Sequence, residues 1–330
     1  MKSAEAVSSA EVAAALDEFI AAVVDAAGGD TSPIRPSHRI PFHWPPHPIS
    51  SDYHVLASDW TGRATFEAHG DTFDVVVART ALGIFGRCEQ FWNDAKGDTE
   101  EEMLANLKRS CEPLFERQFA IGRTIGLSGR FDGYVQTLDP ISLIKLLYCE
   151  DRDVANDARI EIETHASSGL FSEALVRILR DSQHRNRRIA QWCVLDMFED
   201  LPSFCSTEQQ QSQAIDAIGK LMWDANDDYA RTIYKAGVVL GGHICTDPAA
   251  ATLLSCIAAP SKIGRRSAIH AVFHLSEWMP QLKGEIVTKL RNAAATDEEP
   301  SLREFAASMA RDIDSSANEH VTEPMFDDET

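Results

Sequence analysis

Hydrophobic positions recur at helical spacing near the start of the chain, where Val12, Leu16, Phe19, Ile20 and Val23 share one side and Asp17, Glu18 and Asp25 lie mostly opposite. The pattern predicts one amphipathic helix within residues 1–30, ending at Gly28-Gly29. Six prolines follow (Pro33, Pro36, Pro41, Pro45, Pro46 and Pro48). That density prevents helix and sheet alike, so residues 31–51 read as a Pro-rich linker or wrap. The period then changes to two. Ala64, Phe66 and Ala68 alternate with Arg63, Thr65 and Glu67, the stretch His69-Gly70-Asp71 supplies a turn, and Phe73 to Ala78 is rich in β-branched residues. An antiparallel β-hairpin is expected, with a third strand candidate at Leu82 to Arg87. Asp98 or Thr99 can cap the next helix, whose first turn carries Glu100, Glu101 and Glu102, where negative charge offsets the macrodipole. Its apolar stripe is Met103, Leu104, Leu107, Cys111, Leu114 and Phe115.

From about Leu138 the pattern repeats. Five segments place an Arg or a substitute near the start of a helix and, usually, a small residue three positions later: Ala155 with Ala158, Arg187 with Ala190, Arg231 with Tyr234, Arg265 with Ala268 and Arg303 with Ala306. Positions 155, 187, 231, 265 and 303 are 32, 44, 34 and 38 residues apart. A second amphipathic segment precedes each: Leu138–Cys149, Leu170–Asp181, Glu208–Asp224, Ala249–Ala258 and Leu282–Ala294. Two-helix units of this length predict a mainly α chain containing an α-solenoid of about five repeats.

The pattern resembles the HEAT-repeat family, in which an Asp in the turn precedes by six residues an Arg that starts the second helix. Asp181 with Arg187 and Asp297 with Arg303 keep both residues; Ala155 replaces the Arg, and Ala225 and Ala259 replace the Asp. The resemblance covers 138–315 and implies a HEAT-like solenoid whose second helices line a concave face. The preceding strands and the run Gly97-Asp98-Thr99-x-Glu101-Glu102-x-Leu104-x-Asn106-Leu107 resemble the HicB-type antitoxin fold, which implies a small partner-binding α+β domain over 52–125. The expected organisation is therefore helix (1–30), Pro-rich segment (31–51), α+β domain (52–125), HEAT-like domain (126–315) and acidic tail (316–330).

Composition narrows the function classes. The 330 residues carry 51 Asp and Glu against 31 Lys and Arg, a formal charge of −20. Phosphate-backbone affinity comes from neutralisation by basic side chains, so this balance argues against general nucleic-acid binding. No apolar run is long enough for a membrane span, and Asp17, Glu18 and Asp25 break the most apolar N-terminal stretch. Seven cysteines without paired spacing read as buried, reduced thiols of a cytoplasmic protein. Residues 312–330 hold seven acidic and no basic side chains, and read as a solvating tail or one docked on the arginines around Arg185 to Arg188.

On the expected concave face, Ala268, Ala271, Val272, Leu275 and Met279 form the buried stripe of the fourth repeat, leaving Arg266, His270, His274 and Glu277 opposite. The equivalent positions are Arg188, Trp192, Asp196 and Glu199 in the second repeat and Leu240 and His243 in the third. An exposed Trp among mixed charges predicts a contact groove formed by Arg188, Trp192, His243, Arg266, His270, His274 and Glu277.

Three other constellations bear on chemistry. His270 and His274 have the spacing of metal ligands, but residue 271 is Ala and the chain lacks the His-Glu pairs of the HEAT-like deoxyhypusine hydroxylases, so no metal is expected. The N-terminal His38, His43, His47 and His54 are irregularly spaced among prolines. Trp192 and Asp196, one turn apart, resemble the HEAT-like alkylpurine DNA glycosylases, which implies an alternative role for Asp196 as the catalytic carboxylate acting on alkylated bases. Gly241-Gly242-His243 reads as a helix cap, and no phosphate-cradle or nucleophile-elbow motif occurs. The expectation is a non-catalytic scaffold without cofactor that binds a protein or peptide in the groove; an enzyme on the same scaffold, glycosylase or metal-dependent, is the alternative.

Overall fold

The computed structural model describes residues 7–34, 55, 57–127, 133–226 and 230–315. Most of the Pro-rich segment, the four N-terminal histidines and the acidic tail therefore lie outside the described residues. The chain divides into two compact units, Ser37–Tyr134 and a larger one formed by Met1–Pro36 with Val135–Thr330. The described residues are mainly helical and include one four-stranded antiparallel sheet. None of their helices is long and apolar enough to cross a membrane.

Helix α1 (Ser9–Ala26) opens with a capping box in which Ser8 and Glu11 satisfy each other's backbone amides. Its buried face is Val12, Ala13, Leu16 and Ile20.

The smaller unit is a meander of β1 (Trp60–Ala68), β2 (Asp71–Thr80), β3 (Gly83–Cys88) and β4 (Asn93–Gly97), followed by α2 (Glu100–Ile125). The β1–β2 turn has two residues, His69 and Gly70, both at positive φ, and pairs Phe66 with Phe73 across the hairpin. Strand β4 was not anticipated: its sequence, Asn-Asp-Ala-Lys-Gly, has no β-branched residue. Buried polar contacts hold it, with Arg87 forked onto Asp94 at 2.6 and 2.8 Å and the Asn93 amide donating to Ser110 Oγ. Thr99 caps α2, which buries Met103, Leu107, Cys111 and Phe115 against Phe66, Phe73, Val75 and Val77.

The larger unit contains five helical hairpins: α3 (Pro140–Leu146) with α4 (Arg152–Thr164), α5 (Ser172–Arg180) with α6 (Arg187–Met197), α7 (Glu208–Trp223) with α8 (Ala230–Val238), α9 (Asp247–Cys256) with α10 (Lys262–Trp278), and α11 (Lys283–Thr296) with α12 (Pro300–Asp314). A π-helical turn, Val239–Ile244, extends α8. The second helices pack in sequence, α4 on α6, α6 on α8, α8 on α10 and α10 on α12; among the first helices α5 packs on α7 and α7 on α9. Helix α1 joins this second row, packing on both α3 and α5. Ala268, Ala271, Val272, Leu275 and Met279 are all buried.

The segment from α1 to Ile34 also occupies the arginines that the sequence leaves as a basic patch. Arg177 pairs with Asp17, Arg185 faces Asp30 at 3.7 Å, Arg187 donates to the Thr31 carbonyl at 2.7 Å, and the Ile34 amide donates to the Arg185 carbonyl. Arg180 bonds Asp216 at 3.1 Å. Of the two turn aspartates, Asp181 accepts from the amides of Gln183 and His184, whereas Asp297 receives the guanidinium of Arg265 from the preceding hairpin at 2.8 and 3.2 Å.

Two predictions come from these buried groups. The Arg265 and Asp297 side chains are 8% and 3% exposed. Asp297→Ala removes the buried carboxylate while Glu298 and the Ala259 and Pro260 carbonyls still hold the guanidinium, and is expected to lower unfolding free energy by roughly 2 kcal/mol, read by urea denaturation. His184 is buried between Phe19 and Tyr148, and its Nδ1 accepts from the Asn186 amide. Burial, with Arg187 beside it, pulls the imidazole down to about 4. Its folded value is thus below that of the unfolded chain, so its stabilising contribution is complete near neutrality and is lost as pH falls from about 6.5 to about 4. His184→Asn keeps an acceptor for the Asn186 amide and should flatten the fall in stability across that window, measured as the denaturation midpoint against pH.

Candidate functional site

The site is assembled where α6, α8 with its π-helical turn, and α10 lie side by side. The approach of α8 to α10 is unusually close. A Cβ on Gly237 would lie 2.4 Å from Ser267 Oγ, and one on Gly241 would lie 2.4 Å from the Ala271 carbonyl oxygen. Ser267 Oγ donates to the Ile233 carbonyl at 2.8 Å, tying the two backbones together. The wider π spacing of 239–244 ends at Cys245, a non-glycine residue in left-handed conformation with φ 43°. The Gly241-Gly242-His243 run is therefore not the expected helix cap: its glycines sit within the π turn, and Gly241 is required by contact with α10.

Two connected clusters result. In the first, the Lys235 ammonium pairs with Asp196, approaches Glu199 at 3.4 Å and lies 4.7 Å from the Trp192 ring centroid. His243 Nδ1 faces Glu199 at 3.9 Å. Burial, aided by the nearby Arg159 guanidinium, pulls Lys235 down to about 8. The carboxylates of Asp196 and Glu199 oppose that pull. In the second cluster the Tyr234 hydroxyl contacts His270 Nε2, His270 Nε2 and His274 Nε2 are 3.3 Å apart, and His274 Nδ1 faces Glu277 at 3.8 Å. Burial and the neighbouring His270 lower the His274 pKa, which favours the neutral imidazole.

Beside the first cluster opens a cleft of about 760 Å³ between α4 and the end of α6. Its walls carry Arg159, Glu163, Asp196, Glu199 and Asp200, with apolar surface from Met197 and Phe204. Four carboxylates face one guanidinium, so the cleft is acidic.

The sequence-derived groove residues are only partly gathered here. Trp192, His243, His270, His274 and Glu277 fall along one continuous strip. Arg188 does not line it: it is 4% exposed and donates to Gln191 Oε1 at 2.9 Å, because the start of α6 is packed on every side. Leu240 is likewise buried. Arg266 is half-buried over the Phe305 ring of α12, 5.1 Å from its centroid. Trp192 is half-buried under Lys235 and not the exposed aromatic expected.

Sequence reasoning missed Tyr234 and Lys235. Tyr234 occupies the position that carries a small residue in the other repeats, and Lys235 follows it. A bulky phenol in a small-residue slot was the available signal. Comparison with family models, curated proteins and solved structures returned no match for the chain.

The Asp196 carboxylate is engaged by a cation, Arg188 is buried on Gln191, and Arg177, Arg180, Arg185 and Arg187 are engaged by α1, its following turn and Asp216. These contacts weigh against a basic nucleic-acid face around Asp196. A double-mutant cycle of Lys235→Met and Asp196→Asn should give a coupling energy of about 1–3 kcal/mol in chemical denaturation. Additive effects would show that the ion pair contributes nothing to the fold.

Proposed function

We propose that the five hairpins form a HEAT-like solenoid and that the protein is a non-catalytic scaffold binding a basic peptide segment of a partner. The acidic cleft beside Trp192 carries this reading. Glu199 and Asp200 supply negative potential beside the Arg159–Glu163 ion pair, and the nearly buried Met197 and Phe204 leave a narrow apolar floor. Such a site attracts Lys or Arg through long-range charge, with apolar contact coming mainly from the adjoining Trp192. The strip Trp192, His243, His270, His274 and Glu277 would extend the contact along the second helices.

The test is selection of a random peptide library on the immobilised protein. Enriched sequences should combine Lys or Arg with an apolar anchor and lose affinity steeply as salt rises, because exposed charge pairs are screened within about 10 Å at 0.1 M ionic strength. Asp200→Asn with Glu199→Gln should weaken a selected peptide about tenfold, while Trp192→Ala with His270→Ala removes the adjoining contact without unfolding the protein. Enrichment of acidic peptides, or unchanged affinity in both double variants, would overturn the reading.

A further inference from the structure

Among the described residues no three His, Cys, Asp or Glu side chains converge on a metal-sized point. The cluster between α8 and α10 differs because its third member is a tyrosine. His270 Nε2 and His274 Nε2 stand 3.3 Å apart, and the Tyr234 hydroxyl contacts His270 Nε2. Two nitrogens bound tetrahedrally to one ion at about 2.0–2.1 Å are separated by roughly 3.3–3.4 Å, so the imidazoles already hold the spacing of a shared cation. The pair sits one helical turn apart on α10, the arrangement that places two imidazoles on one face.

The hydrogen-bond inventory sharpens this. A hydroxyl donating from Tyr234 uses the lone pair of His270 Nε2. An Nδ1 proton on His274 is directed to Glu277, the outer carboxylate that orients many metal-bound imidazoles, and leaves a second lone pair on His274 Nε2. In that tautomer the His274 Nε2 lone pair faces His270 Nε2 across 3.3 Å, a gap that either a shared proton or a bound cation fills.

We propose that His270, His274 and Tyr234 form a binding site for an imidazole-preferring divalent cation of the zinc type, with solvent completing the coordination. Binding releases no redox equivalent and needs no co-reactant; the ion displaces the shared protons, and the Nδ1 contact with Glu277 strengthens as His274 becomes a ligand. His243 lies at the edge of the same cluster, close enough to influence His274 by charge. His270 and His274 also belong to the strip assigned to the peptide, so metal titration of the protein without peptide is what separates this inference from that reading.

The experiment titrates metal-free full-length protein with Zn2+ against a chelating indicator, and with Co2+ followed by visible absorption. One equivalent should bind in the micromolar range or tighter, with the Co2+ spectrum showing nitrogen and oxygen ligation and no thiolate charge transfer. His270→Gln with His274→Gln should abolish that equivalent, and Tyr234→Phe should weaken it about tenfold. A variant with His38, His43, His47 and His54 replaced by Gln should retain it. Zn2+ should also raise the melting temperature of the wild type and leave that of the His270→Gln, His274→Gln variant unchanged, provided that this variant melts cooperatively without metal. No stoichiometric binding by the wild type, or an equivalent that survives loss of both imidazoles, would overturn the site. A variant that fails to fold transfers the decision to Tyr234→Phe, where unchanged affinity counts against the proposed ligand set.

Discussion

The close approach of α8 to α10 is the constraint on which the candidate site depends. Gly237 and Gly241 lack the Cβ atoms that would meet Ser267 and Ala271, and Ser267 binds the Ile233 carbonyl across the gap. With backbones this near, residues one turn along each helix cannot avoid one another. Tyr234 reaches His270, Gly242 lies beside His274, and the π turn places His243 opposite Glu199. A larger residue at position 237 or 241 would separate the helices by more than a hydrogen bond tolerates, and the polar strip would divide into unconnected side chains. The two glycines, which carry no chemistry, thus decide whether the chemistry-bearing residues meet.

Charge is arranged on a larger scale by the segment from α1 to Ile34. The net charge of −20 conceals a local run of positive residues from Arg177 to Arg188, and the fold disposes of it internally. Asp17, Asp30 and the Thr31 carbonyl take Arg177, Arg185 and Arg187, Asp216 takes Arg180, and Arg188 is buried with Gln191. What remains around the cleft is mostly carboxylate, with Arg159 and Lys235 engaging Glu163 and Asp196. The same contacts anchor α1 between α3 and α5, so helix packing and the electrostatic sign of the surface are two consequences of one set of ion pairs.

The helical hairpins were legible because their signals are local: apolar spacing, capping residues and turn residues all lie within one helix length. The buried stripe from Ala268 to Met279 followed from period alone. What the sequence hid is non-local. Helix α1 finds α5 across more than 140 residues, and Arg265 finds Asp297 in the next hairpin; no short-range pattern marks either partner. Strand β4 was hidden for a different reason. Its stability comes from Arg87 with Asp94 and Asn93 with Ser110, and hydrophobic alternation cannot register a strand held by buried polar pairs. In the candidate site, His270 and His274 lie side by side on α10, whereas Trp192 and Arg188 were assigned to solvent because a helix wheel assumes that only one side is covered. Tyr234 and Lys235 were lost because the repeat alignment treated the phenol as filling a small-residue slot.

Lys235 gives the cleft its energetic character. Its ammonium lies over Trp192 and between Asp196 and Glu199, the contacts that a guest Lys or Arg would make on the peptide-binding reading. The internal cation neutralises part of the site and keeps Asp196 from standing as an unpaired, half-buried carboxylate, which would cost several kcal/mol. On that reading a guest cation meets Glu199 and Asp200 more than Asp196 or the Arg159-paired Glu163, and gains only the modest, salt-sensitive attraction of partly exposed pairs. On that reading discrimination must come from what the charges do not supply, namely contact with the half-buried Trp192 and the strip beyond it. On the peptide-binding reading, a site built in this way would capture basic partners quickly but would need contact along the strip to hold them.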